Sequence, residues 1–171
     1  MDMTQSIAPK SDQFERWLPV VGYEGVYEVS DQGRVRSLNR ITRHGHKRRG
    51  QILKPVPMPA GYLLVNLWKD SLPRMWLIHR LVLTAFSGPS AEGAEALHGD
   101  GNPANNRLDN LTWGTHAENQ ADQVSHGTHA NASKTQCPSG HPYDQANTYT
   151  YPGRVKRACR TCRRDYARKA A

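Results

Sequence analysis

Apolar positions along the chain come in short runs, and the spacing within each run predicts a small element. "YEVS" and "RVRSL" are β-prone runs around "DQG", a turn that places Gly33 at positive φ. Strand alternation then points Val35 inward and Arg34 and Arg36 outward. The proline cluster "PVPMPAG" marks a boundary or an extended connection. "YLLVNLW" and "RMWLI" form a second hairpin around "KDSLP", and "HRLVLTAF" is a short apolar helix ending at Gly88-Pro89. "EALH" and "LTW" are strand-like and flank "GDGNPANNR", a loop built of turn residues. In "GTHAENQADQVSHG", Thr115 and Glu118 have capping-box spacing, so a helix begins at about His116, and Gly127 is placed to follow its C-terminus. Ala117, Ala121 and Val124 share one face of that helix; Asn119, Asp122 and His126 share the other. The apolar stripe is thin. A polar cleft between helix and hairpin explains the pattern better than packing does.

The expected fold class is α+β: a small β-hairpin N-terminal module, a strand–loop–strand–helix core and a C-terminal metal-stapled segment. The expected divisions are a polar, disordered tail over 1–13, a module over 14–60, a core over 61–130 and a cysteine-containing tail over 131–171. Hydrophobic residues make up 37% of the 171 and mean hydropathy is −0.75, lean for one large core and suited to small stapled units.

Charge narrows the function. The net charge is +8, with an isoelectric point near 9.7, which favours a polyanionic partner. With no long basic amphipathic helix, no lipidation motif and no apolar run of spanning length, nucleic acid is preferred to membrane. The N-terminus lacks the charged and apolar regions of a signal peptide, so a soluble, cytoplasmic protein is expected.

The stretch from Ala96 to Asn119 concentrates short polar side chains and two histidines, as a site that binds a metal ion and handles a proton would. It resembles the HNH endonucleases, whose ββα-metal fold matches the strand–loop–strand–helix unit. His98, Asn110 and Asn119 fit the family's pattern of a His ending the first strand, an Asn in the second and an Asn or His in the helix. "DGNPANNRLDNLTWGT" and "EN" resemble the phage and intron-encoded, homing-endonuclease-like subgroup. "WLPVVGYEGVYEVSDQGRVRSL" looks like the DNA-binding module often fused ahead of such nucleases.

The resemblance implies His98 as general base, Asn119 as a ligand of catalytic Mg²⁺ or Mn²⁺, and Asn110 as a brace for the hairpin that helps orient His98. The residue types suit phosphodiester hydrolysis: a neutral imidazole takes water's proton, and oxygen donors suit a hard cation. One position departs. Many relatives carry a metal-binding Asp or His just before the catalytic His, and here it is Leu97. Asp100 or Glu95 is then a candidate second ligand, or water fills the position; Asp100 is equally a turn residue bonding its own backbone.

Cys137 and His141 form Cys-x3-His, and Cys159 and Cys162 form Cys-x2-Cys. Two close ligand pairs that use every cysteine match a closed, structural Zn²⁺ site, and an odd cysteine count argues against a disulfide framework. The last 18 residues carry eight Lys or Arg against one Asp. Arg157, Arg160, Arg163 and Arg164 there, and Arg34, Arg36, Arg40, Lys47, Arg48 and Arg49 in the N-terminal module, are candidate DNA phosphate contacts. The expected function is metal-dependent cleavage of double-stranded DNA. The rival is a non-catalytic DNA-binding protein on a degenerate scaffold of the same type, a regulator or packaging accessory, which Leu97 keeps open. A monomer nicking one strand and a dimer cutting both are equally compatible with the chain.

Overall fold

The computed structural model describes residues 14–42, 45–153 and 156–169. The disordered tail expected over 1–13 lies outside the described residues. The N-terminal part contains strands β1 (Trp17–Pro19), β2 (Tyr27–Ser30), β3 (Val35–Ser37), β4 (Arg40–Ile41), β5 (Lys47–Arg48), β6 (Gln51–Ile52) and β7 (Val56–Pro57). After these come β8 (Leu63–Lys69), β9 (Leu72–Leu77) and helix α1 (Ile78–Ser87). The next unit is β10 (Glu95–His98), a single 3-10 turn (Leu108–Asn110), β11 (Leu111–Gly114) and α2 (His116–Ser125). The tail supplies β12 (Thr148–Thr150), β13 (Arg157–Cys159) and α3 (Arg160–Lys169). The molecule is a mixed α+β fold.

The hairpins follow from local chemistry. β1, β2, β3 and β6 form one antiparallel sheet, with Gly33 at φ 78° in the β2–β3 turn, Val35 1% exposed and Arg34 on the surface. β8 and β9 pair from Leu64↔Leu77 to Lys69↔Leu72, so the turn is only Asp70-Ser71. Both turn residues have positive φ, 52° and 67°, the twist a two-residue hairpin demands, here met without glycine. The proline cluster is an edge strand: β7 pairs with β8, and an edge tolerates the missing amide of Pro57.

Helix α1 is the hub. Its first turn carries no side-chain cap and no acidic residue, so burial must hold it. Ile78, Val82 and Leu83 are fully enclosed, each contributing about 2 kcal/mol of hydrophobic stabilisation. They pack with Val20 and Tyr23 from the β1–β2 connection, Tyr27, Val29 and Val35 from the first sheet, Val65 and Leu67 from β8, and Leu111 from β11. This one buried cluster draws on residues from both sides of position 60. The Tyr23 and Tyr27 hydroxyls are not wasted in it: they accept from the Trp76 indole and the Trp68 amide, both at 3.1 Å.

A second seam joins the N-terminal turn to the asparagine-rich loop. The Leu108 amide donates to the Asp31 carbonyl at 2.9 Å, and Arg107 reaches Gln32. Gly33 lies so close that a β-carbon there would stand 2.7 Å from the Asn106 carbonyl oxygen.

Candidate active site

β10 and β11 pair with His98 opposite Leu111, and the loop between them is organised by side chains rather than by a sheet. Asp100 is its centre. One carboxylate oxygen accepts from the Asn102 amide (2.9 Å) and the Asn110 side chain (3.0 Å); the other accepts from the Asn105 side chain (2.7 Å). These donors, Asn105 first, hold the carboxyl down at about 2. Both oxygens are therefore committed to the loop, the turn role that competed with a metal role for this residue.

Asn110 ends the 3-10 turn just before β11 rather than lying in the strand, and there it braces the loop. Its side-chain oxygen accepts the Asp100 amide at 2.9 Å, its amide also donates to the Asn105 carbonyl at 2.9 Å, and its own carbonyl accepts the Gly99 amide at 2.8 Å. The residues on either side of His98's connection to the loop are thus fixed.

His98 is half-buried at the end of β10. Its Nε2 is shut off from solvent without a hydrogen-bond partner, and so is the Oδ1 of the adjacent, buried Asn106. A ring N–H and an amide carbonyl are complementary, and an Nε2 proton facing Asn106 leaves the Nδ1 lone pair as the basic one. Burial lowers the imidazole's pKa below its ordinary 6.5, opposed by Asn106 and by the Asp100 charge. The ring is neutral at pH 7.

Two aromatic rings wall it in. His79 of α1 meets His98 edge-on at 5.0 Å, and Tyr62 stands 5.3 Å from His79 and 5.9 Å from His98. His79 is 3% exposed with an unpartnered Nδ1, and burial pushes its pKa down to about 4, helped by the charges of His98 and Arg80. The folded state resists protonation that the unfolded chain accepts near 6.5, so its stabilising contribution is full above 6.5 and is lost as pH falls from there to about 4. The loss should be on the order of 3 kcal/mol. Urea unfolding between pH 7 and pH 4 checks it: wild type should weaken more steeply than His79→Phe, and equal slopes would refute the assignment.

Helix α2 begins with the capping box expected, Thr115 and Glu118 bonding reciprocally, and ends at His126 before Gly127 at φ 69°. Its polar face is turned to the hairpin, as the thin apolar stripe led us to expect. Ala117, Ala121 and Val124 face solvent, while Asn119, Gln120, Asp122 and Gln123 are the partly buried residues. The polar face turns to the hairpin because β10 offers it a carboxylate: Asn119 donates to Glu95 at 2.5 Å, and the His116 Nδ1 lies 2.9 Å from the other Glu95 oxygen. Leu97, 6% exposed, fills the space against Gly114 and cannot ligate. The donor set near Asn119 therefore contains an amide oxygen, a carboxylate and an imidazole, fit for a hard divalent cation, but nothing from position 97.

Residues 77–121 match the HNH endonuclease family model, and residues 15–68 match the NUMOD4 motif. The chain is HNH homing-endonuclease-like. DNA endonuclease I-HmuI of Bacillus phage SP01 is 37% identical over 99 residues, 58% of this chain and 52% of the relative. The uncharacterized HNH endonuclease L245 of Acanthamoeba polyphaga mimivirus is 29% identical over 98 residues, 57% of this chain and 26% of that protein. A solved structure of DNA binding and cleavage by the HNH homing endonuclease I-HmuI superposes with a TM-score of 0.54 at 35% identity, covering 66% of this chain and 60% of that one. The chain thus spans about half the length of the first of these curated relatives and a quarter of the second.

In the tail, Cys137, His141, Cys159 and Cys162 bring their ligand atoms within 4.8 Å of one another. The His141 Nδ1 is 3.5, 3.7 and 3.3 Å from the sulfurs of Cys137, Cys159 and Cys162, and the Cys137 and Cys162 sulfurs are 3.6 Å apart. A tetrahedral ion with ligands at about 2.0–2.3 Å sets edges of about 3.5–3.8 Å, so the cluster fits a four-coordinate metal. Asn147, which the sequence did not single out, supports it by donating to the Cys159 sulfur at 3.3 Å. Burial opposes ionisation of Cys159, but the Cys162 amide and Asn147 outweigh it and bring the thiol to about 6.

The ten candidate phosphate contacts divide. Arg34 pairs with Glu15, and Arg36 pairs with Glu28 while stacking on Trp17 at 4.1 Å. Arg157 stacks on Tyr143 at 4.0 Å and donates to the Asn131 and Lys134 carbonyls, tying the tail to the linker. The exposed cations are elsewhere. Lys47, Arg48 and Arg49, with Arg40, line an open groove of about 1190 Å³, and Arg160, Arg163 and Arg164 line a smaller one of about 560 Å³ along α3.

Proposed function

We propose that this protein is a metal-dependent endonuclease that hydrolyses phosphodiester bonds of double-stranded DNA, with His98 as general base. The observation that carries this is the setting of His98: half-buried, walled by His79 and Tyr62, its pKa lowered by burial, its Nε2 shielded from solvent, at the end of a strand whose following loop is locked by Asp100 and Asn110. His98 takes the proton of an attacking water at Nδ1. Asn110 and Asp100 keep the loop from drifting, which holds the imidazole where the scissile phosphate would arrive. Asn119, on the face of α2 turned to β10, supplies an amide oxygen as a metal ligand once its side chain rotates away from donating to Glu95. Mg²⁺ or Mn²⁺, when bound, neutralises charge developing on the phosphate and the leaving oxygen. The likeness to I-HmuI, whose solved structure concerns DNA binding and cleavage, supports DNA as the substrate.

The Cys137, His141, Cys159 and Cys162 cluster holds structural Zn²⁺, since three thiolates and an imidazole favour it over a hard cation and leave no open position. DNA phosphates are gripped by Lys47, Arg48 and Arg49 on one side and by Arg160, Arg163 and Arg164 on the other.

Plasmid relaxation tests the activity. Cutting should appear with Mg²⁺ or Mn²⁺ and vanish in EDTA. Its acid limb should lie below pH 6.5, because a base with a lowered pKa stays neutral until the pH falls past that lowered value. Cutting in EDTA would exclude the mechanism. Binding without cutting under any divalent cation would favour the second reading, a DNA-binding protein on an inactive scaffold, which Leu97 specifically supports.

A further inference from the structure

Many carboxylates of this strongly basic chain have fixed roles among the described residues. Asp31, Glu15, Glu28 and Asp109 pair with arginines, Glu118 caps α2, and Asp100 organises its loop. Glu95 differs. Among the described residues no Lys or Arg lies within ion-pair distance of it; its two oxygens face the Asn119 amide at 2.5 Å and the His116 ring at 2.9 Å. Its side chain remains 33% exposed, at the mouth of the cleft between β10 and α2.

Position in the strand adds the second half. Residues two apart share a face of a strand, so Glu95 and Leu97 point to the same side of β10, the side that α2 covers. Leu97 fills the space against Gly114 and under Glu118. A carboxylate one pleat further along the same face reaches the first turn of α2, where Asn119 sits.

We infer that Glu95 supplies the carboxylate ligand that Leu97 cannot, so that the divalent cation is held between Glu95 and Asn119, with the site displaced along β10 toward the N-terminus of α2. This rests on the metal-dependent reading above. Two oxygens bound side by side to an octahedral Mg²⁺ at about 2.0–2.1 Å lie about 2.9 Å apart. The Asn119 amide nitrogen and the Glu95 oxygen stand 2.5 Å apart, so after rotation of the amide exchanges nitrogen for oxygen the pair needs to open by only about 0.4 Å. His116 then fixes the carboxylate from outside, as hydrogen-bond partners of metal ligands commonly do.

The experiment is a Mn²⁺ titration of the full-length, zinc-loaded protein without DNA, followed by electron paramagnetic resonance of the free ion. The thiolate cluster is already filled and disfavours Mn²⁺. Wild type should take up one Mn²⁺. Glu95→Gln should weaken that binding at least tenfold while keeping a partner for the Asn119 amide, and its thermal melt should stay close to wild type. The double variant Glu95→Gln/Leu97→Asp should regain most of the affinity, because a carboxylate returns to the same face. A folded Glu95→Gln that holds Mn²⁺ as tightly as wild type overturns the assignment, as does a wild-type protein that takes up none. Plasmid cutting is read separately. If wild type cuts but Glu95→Gln keeps its Mn²⁺, only the ligand is misassigned; if wild type binds Mn²⁺ through Glu95 and never cuts, the nuclease reading fails and the ligand assignment stands.

Discussion

His98→Ala should lower DNA cleavage by about two to four orders of magnitude, the usual worth of a general base, and leave DNA affinity nearly unchanged. Separation of the two effects is what matters. The imidazole is half-buried behind Tyr62 and His79, and the exposed cations line grooves on β4–β5 and α3, not the His98 site. Single-turnover cleavage and filter-binding affinity, measured on one duplex, check the prediction. Cleavage by His98→Ala at the wild-type rate with Mg²⁺ would remove His98 from the mechanism. A parallel loss of affinity would mean that the substitution had disturbed the loop that Asp100 and Asn110 hold.

Removing the tail's metal should have a comparably large effect, on folding. The four ligand residues join the loop holding Cys137 and His141 to β13 and α3, none of which offers a core: α3 has no buried residue, and among the described residues of the segment the buried side chains are Cys137 and Cys159 themselves. A zinc-stapled unit of this kind draws most of its folding free energy from the ion. Elemental analysis should find one zinc per chain. Cys159→Ser, or chelation, should open the segment after about residue 134 to protease and weaken DNA binding. The dependence of affinity on salt should flatten as well, since Arg160, Arg163 and Arg164 would no longer displace counterions together. A zinc-free protein whose tail resists protease would contradict this.

The sequence disclosed most where local chemistry decides structure. The capping box of Thr115 and Glu118, the positive φ of Gly33 and Gly127, and the α+β class all follow from residue types at short spacing. So does the convergence of Cys137, His141, Cys159 and Cys162, because two pairs of close ligands leave a chain few ways to use them. What stayed hidden depends on tertiary partners. The thin stripe of Ala117, Ala121 and Val124 already pointed to a polar cleft on the other face of α2, but not that the Glu95 carboxylate lies across from Asn119 and holds it there. Asn106 reads as one more turn residue; only its burial beside His98 distinguishes it. Arg34 and Arg36 look like free cations, but Glu15 and Glu28, many residues away or across a strand, occupy them. His79 carries no spacing signal at all, and its role as a wall of the site comes from α1 being threaded beneath β10.

The close approach of Gly33 to Asn106 bears on how such a chain diversifies. Recombination that exchanged the first sheet for another would have to reproduce a glycine at that turn and a matching face for α1, or the His98 loop would lose its backing. The β4–β5 hairpin is under no such constraint. It forms a sheet of its own, Ile41, Lys47 and Arg48 are all exposed, and none of its described residues belongs to the buried cluster. Basic side chains can be exchanged there one at a time, while the His98 loop and the sheet that props it are inherited as one indivisible piece.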